Sequence, residues 1–222
     1  MHYLGRGAQQ DKQKGIKIIR ENKSDEFKLG EDEGLGSIWA AHILSDTPAA
    51  FKFFQMCQLG SDRDWLCKHL MAVCLYHGFG TIADRSKMAG IFEELANEGH
   101  IDCQLWIGRC YYYGWGVSED PSKAFEWIDM AASQGNPYAQ WWAATCYFSG
   151  YGVTKDYAMA ADLSRKSADQ GNRHGQNSLG DYYRFGYGVA VNIEAAAYWY
   201  RKSAEQGCTH AIGNLIRLGL SP

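Results

Sequence analysis

The stretch that decides the fold lies near the C-terminal end, where residues 179–189 read LGDYYRFGYGV and residues 196–207 read AAYWYRKSAEQG. Its Gly-x-Gly pair, Gly186/Gly188, recurs upstream three times at steps of 36 residues. Two further columns keep the same step, one of glycine and one of alanine three residues before it: Gly99, Gly135, Gly171, Gly207 and Ala96, Ala132, Ala168, Ala204. Three columns with one period indicate four repeated units in residues 64–207.

The sequence pattern of each unit predicts two helices joined by a turn. The first helix is short and aromatic, with apolar residues three and four positions apart, as in Ile107 and Tyr111. The Gly-x-Gly pair ends it, because glycine accepts the left-handed geometry of a helix C-cap. The second helix carries small residues and tryptophan and ends at a Gln-Gly pair. Such a unit cannot bury its apolar face alone, so we expect stacked repeats in an all-α fold.

The remaining residues follow the same pattern less closely. Gly5 and Gly7 match Gly114 and Gly116 by their offset from later motif residues. We therefore predict about six 36-residue repeats in a single domain, the first two degenerate or partial. The divisions are a partial repeat at 1–26, a degenerate repeat at 27–63, repeats at 64–99, 100–135, 136–171 and 172–207, and a C-terminal capping helix in 208–222.

These motifs resemble the Sel1-like repeat, a relative of the tetratricopeptide repeat. The pattern is Leu-Gly-x-x-Tyr-x-x-Gly-x-Gly-Val, followed by Asp, Lys-Ala, Trp-Tyr, Ala and Gln-Gly. The resemblance covers residues 64–207 closely and residues 1–63 loosely, and the 36-residue step differs from the 34-residue tetratricopeptide form. It implies a right-handed α/α superhelix, a solenoid whose first helices line a concave face.

The resemblance also implies a function in binding. We expect a non-enzymatic adaptor that binds a protein or an extended peptide in its concave groove. The alternative is a dedicated inhibitor or immunity protein that covers a toxin's active site. A β-lactam-hydrolysing enzyme is a weaker hypothesis by family analogy, since no serine has a lysine three residues later.

The composition of the chain excludes several classes of protein. The chain carries 22 Lys+Arg against 25 Asp+Glu, a net charge of −3, which excludes a generally basic nucleic-acid binder. No apolar run approaches the roughly 18 residues that span a bilayer. The seven cysteines are odd in number and have no C-x-x-C spacing, so we expect buried, reduced thiols. We expect a cytoplasmic monomer with no cofactor, no metal and no catalytic residue.

Candidate binding residues follow from the face that the first helices leave for a partner. If the Leu-Gly and Tyr positions face the partner helix, positions two before the leucine, two after it and five after it point to the concave side. These positions are not repeated columns, and several hold Tyr, Trp or Arg, the residues that dominate interface hot spots. The predicted protein-binding residues are His69, Tyr76, Leu105, Arg109, Tyr112, Trp141, Thr145, Phe148, Asn177, Asp181 and Arg184.

One alternative stays open for these residues. Trp141 and Tyr112 are also the kind of side chain that packs against neighbouring loops in helical repeats. In that case they would stabilise the fold and would not contact a partner.

Overall fold

The computed structural model describes residues 47–221, in which ten α-helices follow one another and no strand occurs. The prediction of an all-α fold of paired helices is confirmed. The predicted partial repeat at 1–26 and most of the degenerate repeat before Thr47 lie outside the described residues. The helices are α1 Pro48–Gly60, α2 Trp65–His77, α3 Arg85–Asn97, α4 Ile101–Tyr113, α5 Pro121–Ser133, α6 Pro137–Ser149, α7 Tyr157–Asp169, α8 Arg173–Phe185, α9 Ile193–Glu205 and α10 Thr209–Arg217.

The chain divides into two compact units between Ser118 and Glu119. In the described part of the first unit, α1 packs on α2, α2 on α3 and α3 on α4. Met88 and Phe92 of α3 are completely buried, and Ala50, Cys74 and Phe79 form a second apolar cluster. Burying side chains of this size stabilises the fold by about 1.5 to 3 kcal/mol each.

The second unit contains α5 to α10. Each helix again packs on its neighbour in sequence, and α6 also touches α8. Its apolar clusters centre on Ala160 and Tyr182 between α7 and α8, and on Ala196, Tyr200 and Leu215 between α9 and α10. The first helices of the pairs are therefore α2, α4, α6, α8 and α10, the last without a following partner among the described residues.

Local sequence explains where the helices begin and end. Asp120 caps α5 by accepting a hydrogen bond from the Lys123 amide, and Pro121 occupies the first turn, where its missing amide hydrogen costs nothing. Asn136 caps α6 through two backbone amides. At the other end of α6, Gly150 has φ of 78° and its amide donates to the Cys146 carbonyl. The two-helix unit is thus specified at each boundary.

The second glycine of the Gly-x-Gly pair makes the closest approach in the fold. Gly152 has φ of 70°, and a Cβ there would overlap the carbonyl oxygen of Pro121 at the start of α5. The same overlap with a second-helix carbonyl would occur at Gly80 and Gly116 in the first unit and at Gly188 in the second. The loop of each repeat therefore rests directly on the main chain of the preceding second helix.

A column of buried glutamines also joins the repeats. The Gln140 side-chain amide donates to the Ala132 carbonyl at 3.4 Å and accepts from Gln170 at 2.8 Å. Gln176 repeats the arrangement 36 residues later with Ala168 and Gln206. A buried amide needs such partners, because an unsatisfied polar group there costs about 1 to 3 kcal/mol.

We predict that Gly152→Ala destabilises the protein by about 2 to 4 kcal/mol. The alanine adds left-handed backbone strain to an overlap with Pro121 that only movement of the loop relieves. The matched control is Gly135→Ala, at φ of 88° with open space around it, which costs about 1 kcal/mol. Urea unfolding of both variants measures the difference, and equal losses would contradict the contact.

Candidate functional site

In the first unit, aromatic rings surround a predicted binding residue, Arg109. Its guanidinium lies 4.7 Å from the centre of the Trp106 ring and 5.5 Å from that of Trp115. Tyr76 contacts both tryptophans, at 5.5 and 5.0 Å between ring centres, and Trp115 stacks on Tyr113 at 4.6 Å. We call these five residues the Arg109 cluster. Cation–π contacts of this kind contribute about 0.5 to 2 kcal/mol and fix the direction of the arginine.

The two other predicted residues of α4, Leu105 and Tyr112, differ in how far they are buried. Leu105 is only 6% exposed, and its side chain lies in the core, which leaves little of its surface for a partner; its role as a partner contact stays a prediction. Tyr112 is half-buried, and its ring meets the edge of Tyr113 at 4.8 Å, next to the Arg109 cluster. Three predicted residues of the first unit, Tyr76, Arg109 and Tyr112, therefore lie in one region.

His69 is engaged in packing between helices. Its ring meets Phe92 and Trp65 edge-on, and its Nδ1 lies 3.3 Å from the Cys103 sulfur. Burial, with a smaller contribution from His100, lowers the pKa of His69 from 6.5 to about 4. The imidazole is therefore neutral at pH 7 and acts as a packed aromatic ring.

In the second unit, Trp141 of α6 is held by α8. Its Nε1 donates to the Ser178 hydroxyl at 3.2 Å, and its ring stacks on His174 at 4.7 Å. The Thr145 hydroxyl donates to the Trp141 carbonyl at 3.0 Å, which ties two predicted residues together. Both side chains are half-buried. Trp141 thus packs on the next first helix, and part of its surface still meets solvent.

Phe148 belongs to a separate aromatic group. Its ring stacks on Tyr182 at 5.6 Å and contacts Tyr187 and Tyr157 at 5.2 and 5.3 Å. Tyr182 is buried, whereas Tyr157 is exposed at the start of α7. Phe148 therefore packs within an aromatic group formed by α6, α7, α8 and the loop that follows α8.

Asp181 lies at the centre of a polar network formed by α8, α9 and α10. It accepts hydrogen bonds from the Tyr200 hydroxyl at 2.7 Å, from Asn214 at 3.2 Å and from Asn177 at 3.3 Å. Arg217 in turn donates to the Asn214 side chain at 3.0 Å. We call these residues, together with Arg184 beside them, the Asp181 cluster. It contains three predicted residues: Asn177, Asp181 and Arg184.

The glycine before Asp181 makes this network possible. A Cβ at Gly180 would lie 2.6 Å from the Tyr200 ring, so the missing side chain lets Tyr200 cross α8 closely. Tyr200 is completely buried, and its hydroxyl reaches Asp181 at the edge of the helix pair. A packing requirement thus places a hydrogen-bond donor on the candidate surface.

Burial and the neighbouring groups have opposite effects on the pKa of Asp181. Burial raises the pKa of Asp181, whereas the hydrogen bond from Tyr200 and the charges of Arg184 and Arg217 oppose that rise. Tyr200 shows the complementary effect, since burial and the neighbouring Asp181 raise the pKa of its hydroxyl. The phenol therefore stays protonated and remains the donor at neutral pH.

Several members of these clusters were missed from the sequence, although signals existed. Trp115 occupies the middle position of a Gly-x-Gly pair, where Phe79, Tyr151 and Tyr187 stand in the other copies, so an aromatic column was visible. Arg217 stands 36 residues after Asp181. Extending the period into the final helix would have included it. Tyr200 fills the Trp-Tyr position of the repeat pattern, but its column holds Ser164 one repeat earlier, so the column gave no sign of a contact with Asp181.

Most of the cysteine thiols lie in the core. All seven lie within the described residues and carry no disulfide, and all except Cys67 are buried, as expected. Burial raises the pKa of the Cys74, Cys110 and Cys146 thiols to about 12. These thiols are protonated at pH 7, whereas nucleophilic cysteines need the thiolate.

Two other structural facts bear on possible chemistry. Among residues 47–221, no three His, Cys, Asp or Glu side chains come close enough together to bind a metal ion. None of the ten described helices has the length and hydropathy needed to cross a bilayer.

Fold and surface together define a helical-repeat protein whose buried columns recur and whose surface residues vary from repeat to repeat. The Sel1 repeat family model matches residues 1–18, 66–100, 101–136, 137–172 and 173–208. The chain belongs to the Sel1 repeat family. This repeat is a fold of protein–protein interaction, and its members are generally not enzymes. A comparison with curated proteins gives no match.

Two solved structures are similar to this chain. A Sel1 repeat protein from Oxalobacter formigenes is 26% identical with a TM-score of 0.66, covering 82% of this chain and 54% of that one. The second, c5321, is described as a protective antigen of uropathogenic Escherichia coli strains with an SLR fold. It is 25% identical with a TM-score of 0.66 and covers 92% of this chain and 48% of that one. The chain thus spans about half the length of these relatives.

A third solved structure resembles the chain in fold alone. The immunity protein Pa5087 from Pseudomonas aeruginosa is 21% identical with a TM-score of 0.55, and the match covers 84% of this chain and 71% of that one.

We predict that His69 titrates near pH 4 in the folded protein and near 6.5 in the urea-unfolded chain. Because the folded pKa is lowered, the unfolded state binds more protons between these values, and stability falls as pH falls through this window. NMR titration of the His69 ring measures the pKa. The His69→Gln variant should lose less stability over the same window. A folded pKa near 6.5 would contradict the burial argument.

We predict that Tyr200→Phe lowers the free energy of unfolding by about 1 kcal/mol, the usual net value of one hydrogen bond. The ring that packs on Gly180 is kept, and Asp181 loses only its shortest hydrogen bond. Tyr198→Phe is the control, since that side chain is 50% exposed on the same helix, and it should leave stability unchanged. Equal stability of both variants in urea would remove the energetic role of the hydroxyl.

Proposed function

We propose that this protein is a non-enzymatic adaptor that binds a protein or an extended peptide along the first helices of its repeats. The observation that carries the proposal is the contrast between two sets of residues. Buried positions such as Ala132 and Ala168 repeat at the 36-residue step, whereas Arg109, Thr145 and Asp181 share a step and differ. Packing accounts for the repeated set, and variation at half-exposed positions suits recognition of one particular partner.

The residue types support the same proposal. Trp, Tyr and Arg provide large contact areas with polar ends, and they dominate the energetics of measured interfaces. In the first unit, Tyr76, Arg109 and Tyr112 offer this combination, and in the second unit Trp141 and Arg184 do. All five are half-buried, so part of each side chain remains available to a partner.

Preorganisation adds to this support. The indole of Trp141 is fixed by Ser178 and His174, and Arg109 is fixed by two tryptophan rings. A side chain that is already ordered loses less rotamer entropy on binding, which otherwise costs about 0.5 to 1.5 kcal/mol for each side chain.

The inhibitor alternative stays a prediction, because the likeness to an immunity protein concerns the fold alone. The free cysteines suit a reducing compartment, which supports the proposed cytoplasmic location.

The test compares the removal of two large aromatic side chains, Trp141 on the first helix α6 and Tyr198 on the second helix α9. Affinity capture from the source organism, followed by mass spectrometry, should recover one defined protein with the wild-type chain. We expect Trp141→Ala to reduce its recovery at least about tenfold, since hot-spot residues contribute about 2 kcal/mol or more. Tyr198→Ala, an exposed aromatic on the second helix α9, should leave recovery unchanged.

Circular dichroism melts establish that both variants are folded before the comparison. Equal recovery with the wild type and with Trp141→Ala would contradict the assignment of this face. Absence of any specifically retained protein would contradict the adaptor function itself.

A further inference from the structure

The Asp181 cluster combines a satisfied carboxylate with two arginines. Both oxygens of Asp181 already accept hydrogen bonds, Oδ1 from Tyr200 and Asn214 and Oδ2 from Asn177. The carboxylate is half-buried and directed into its own unit. Its remaining capacity to bind a further cation is therefore small, and its main effect is to order the donors around it.

The arginines, in contrast, keep donors available. Arg217 is exposed and uses one guanidinium nitrogen on Asn214. Arg184 is half-buried, hydrogen-bonds the Tyr200 side chain with part of its guanidinium, and lies 4.9 Å from the centre of the Phe185 ring. Each guanidinium has five N–H donors in a planar fork that matches a carboxylate. Two such forks beside one internally bonded aspartate leave a net positive site.

The distribution of charge in the second unit points the same way. Its first helices carry three basic residues, Arg173, Arg184 and Arg217, against one acidic residue, Asp181. Its second helices carry six acidic and five basic residues. The whole chain has a net charge of −3, so the first helices of this unit are positive against the overall balance. Such a local field attracts anionic partners.

Apolar surface accompanies the two arginines. Phe185, beneath Arg184, is 53% exposed, and Ile216, next to Arg217 in sequence, is 61% exposed. Ile216 stands 36 residues after the buried Gly180, and it is exposed because no second helix among the described residues covers α10. A ligand that pairs with the arginines therefore also meets apolar side chains.

We propose that the Asp181 cluster binds an acidic segment of the partner protein, with Arg184 and Arg217 pairing with Asp or Glu carboxylates and Phe185 contacting an apolar residue beside them. This inference rests on the proposed adaptor function and specifies the chemistry of the partner. Charge complementarity selects an acidic peptide over a basic one, because the only anion of the cluster is already hydrogen-bonded.

The test is selection from a phage-displayed library of random twelve-residue peptides on the full chain. Enriched peptides should contain more Asp and Glu than the unselected library, together with an aromatic or aliphatic residue. One enriched peptide, made with a fluorescein label, then serves as the probe in anisotropy titrations. Its affinity should fall several-fold as NaCl rises from about 50 to about 500 mM, because salt screens exposed charge pairs.

Variants separate the roles of the charges. The double variant Arg184→Gln/Arg217→Gln should lower the affinity for the probe at least about tenfold, since each pairing is a charge-assisted hydrogen bond. Arg217→Gln alone, at an exposed position, tests the same pairing without touching Tyr200. The matched control Arg201→Gln, exposed on α9, should leave affinity unchanged.

The Asp181→Asn variant best distinguishes an acidic ligand from a basic one. It removes the negative charge with little change in shape, so an acidic probe should bind about three to five times more tightly. A basic ligand would respond in the opposite direction. Enrichment of basic or uncharged peptides, or a loss of probe affinity in Asp181→Asn, would overturn the inference and leave the adaptor function standing. Failure to enrich any peptide would count against both.

Discussion

Each of the second helices α1, α3, α5 and α7 lies against a glycine of the next loop, where main chain meets main chain without an intervening side chain. At Gly152 and Pro121 this contact is so close that no Cβ fits, and it recurs in both units. The loop position then determines where the following helix pair begins. The buried columns, the glutamine hydrogen bonds and the exposed first-helix residues all follow from that spacing.

Much of the fold could be predicted because periodicity reports packing directly. Columns of glycine and alanine recur where every repeat needs the same left-handed backbone geometry or the same close packing, so they located the helices and turns. Exposure of a single side chain is harder to predict. Leu105 shares a column with the half-buried His69 and Trp141, yet it is buried, so the position in the repeat does not by itself determine exposure.

The candidate site could be predicted only in part for a related reason. Asn177, Asp181 and Arg184 lie on one helix, so spacing placed them together. Tyr200 joins them from the next helix, and its contact depends on the absence of a side chain at Gly180. Gly180 and Tyr200 both occupy positions of the repeat pattern, but the pattern alone does not show that the Tyr200 hydroxyl reaches Asp181. Sequence columns therefore describe the proposed recognition surface less well than they describe the buried positions of the described repeats.

The protected thiols also make the repeats individually observable. Cys74, Cys110 and Cys146 stand in one column, each in a different first helix, and each is buried and protonated. A thiol reagent can reach such a sulfur only when its helix opens locally. The rate of alkylation at each cysteine therefore reports how often its own repeat opens locally. Equal rates at the three cysteines would indicate that the repeats open together, and unequal rates that they open independently.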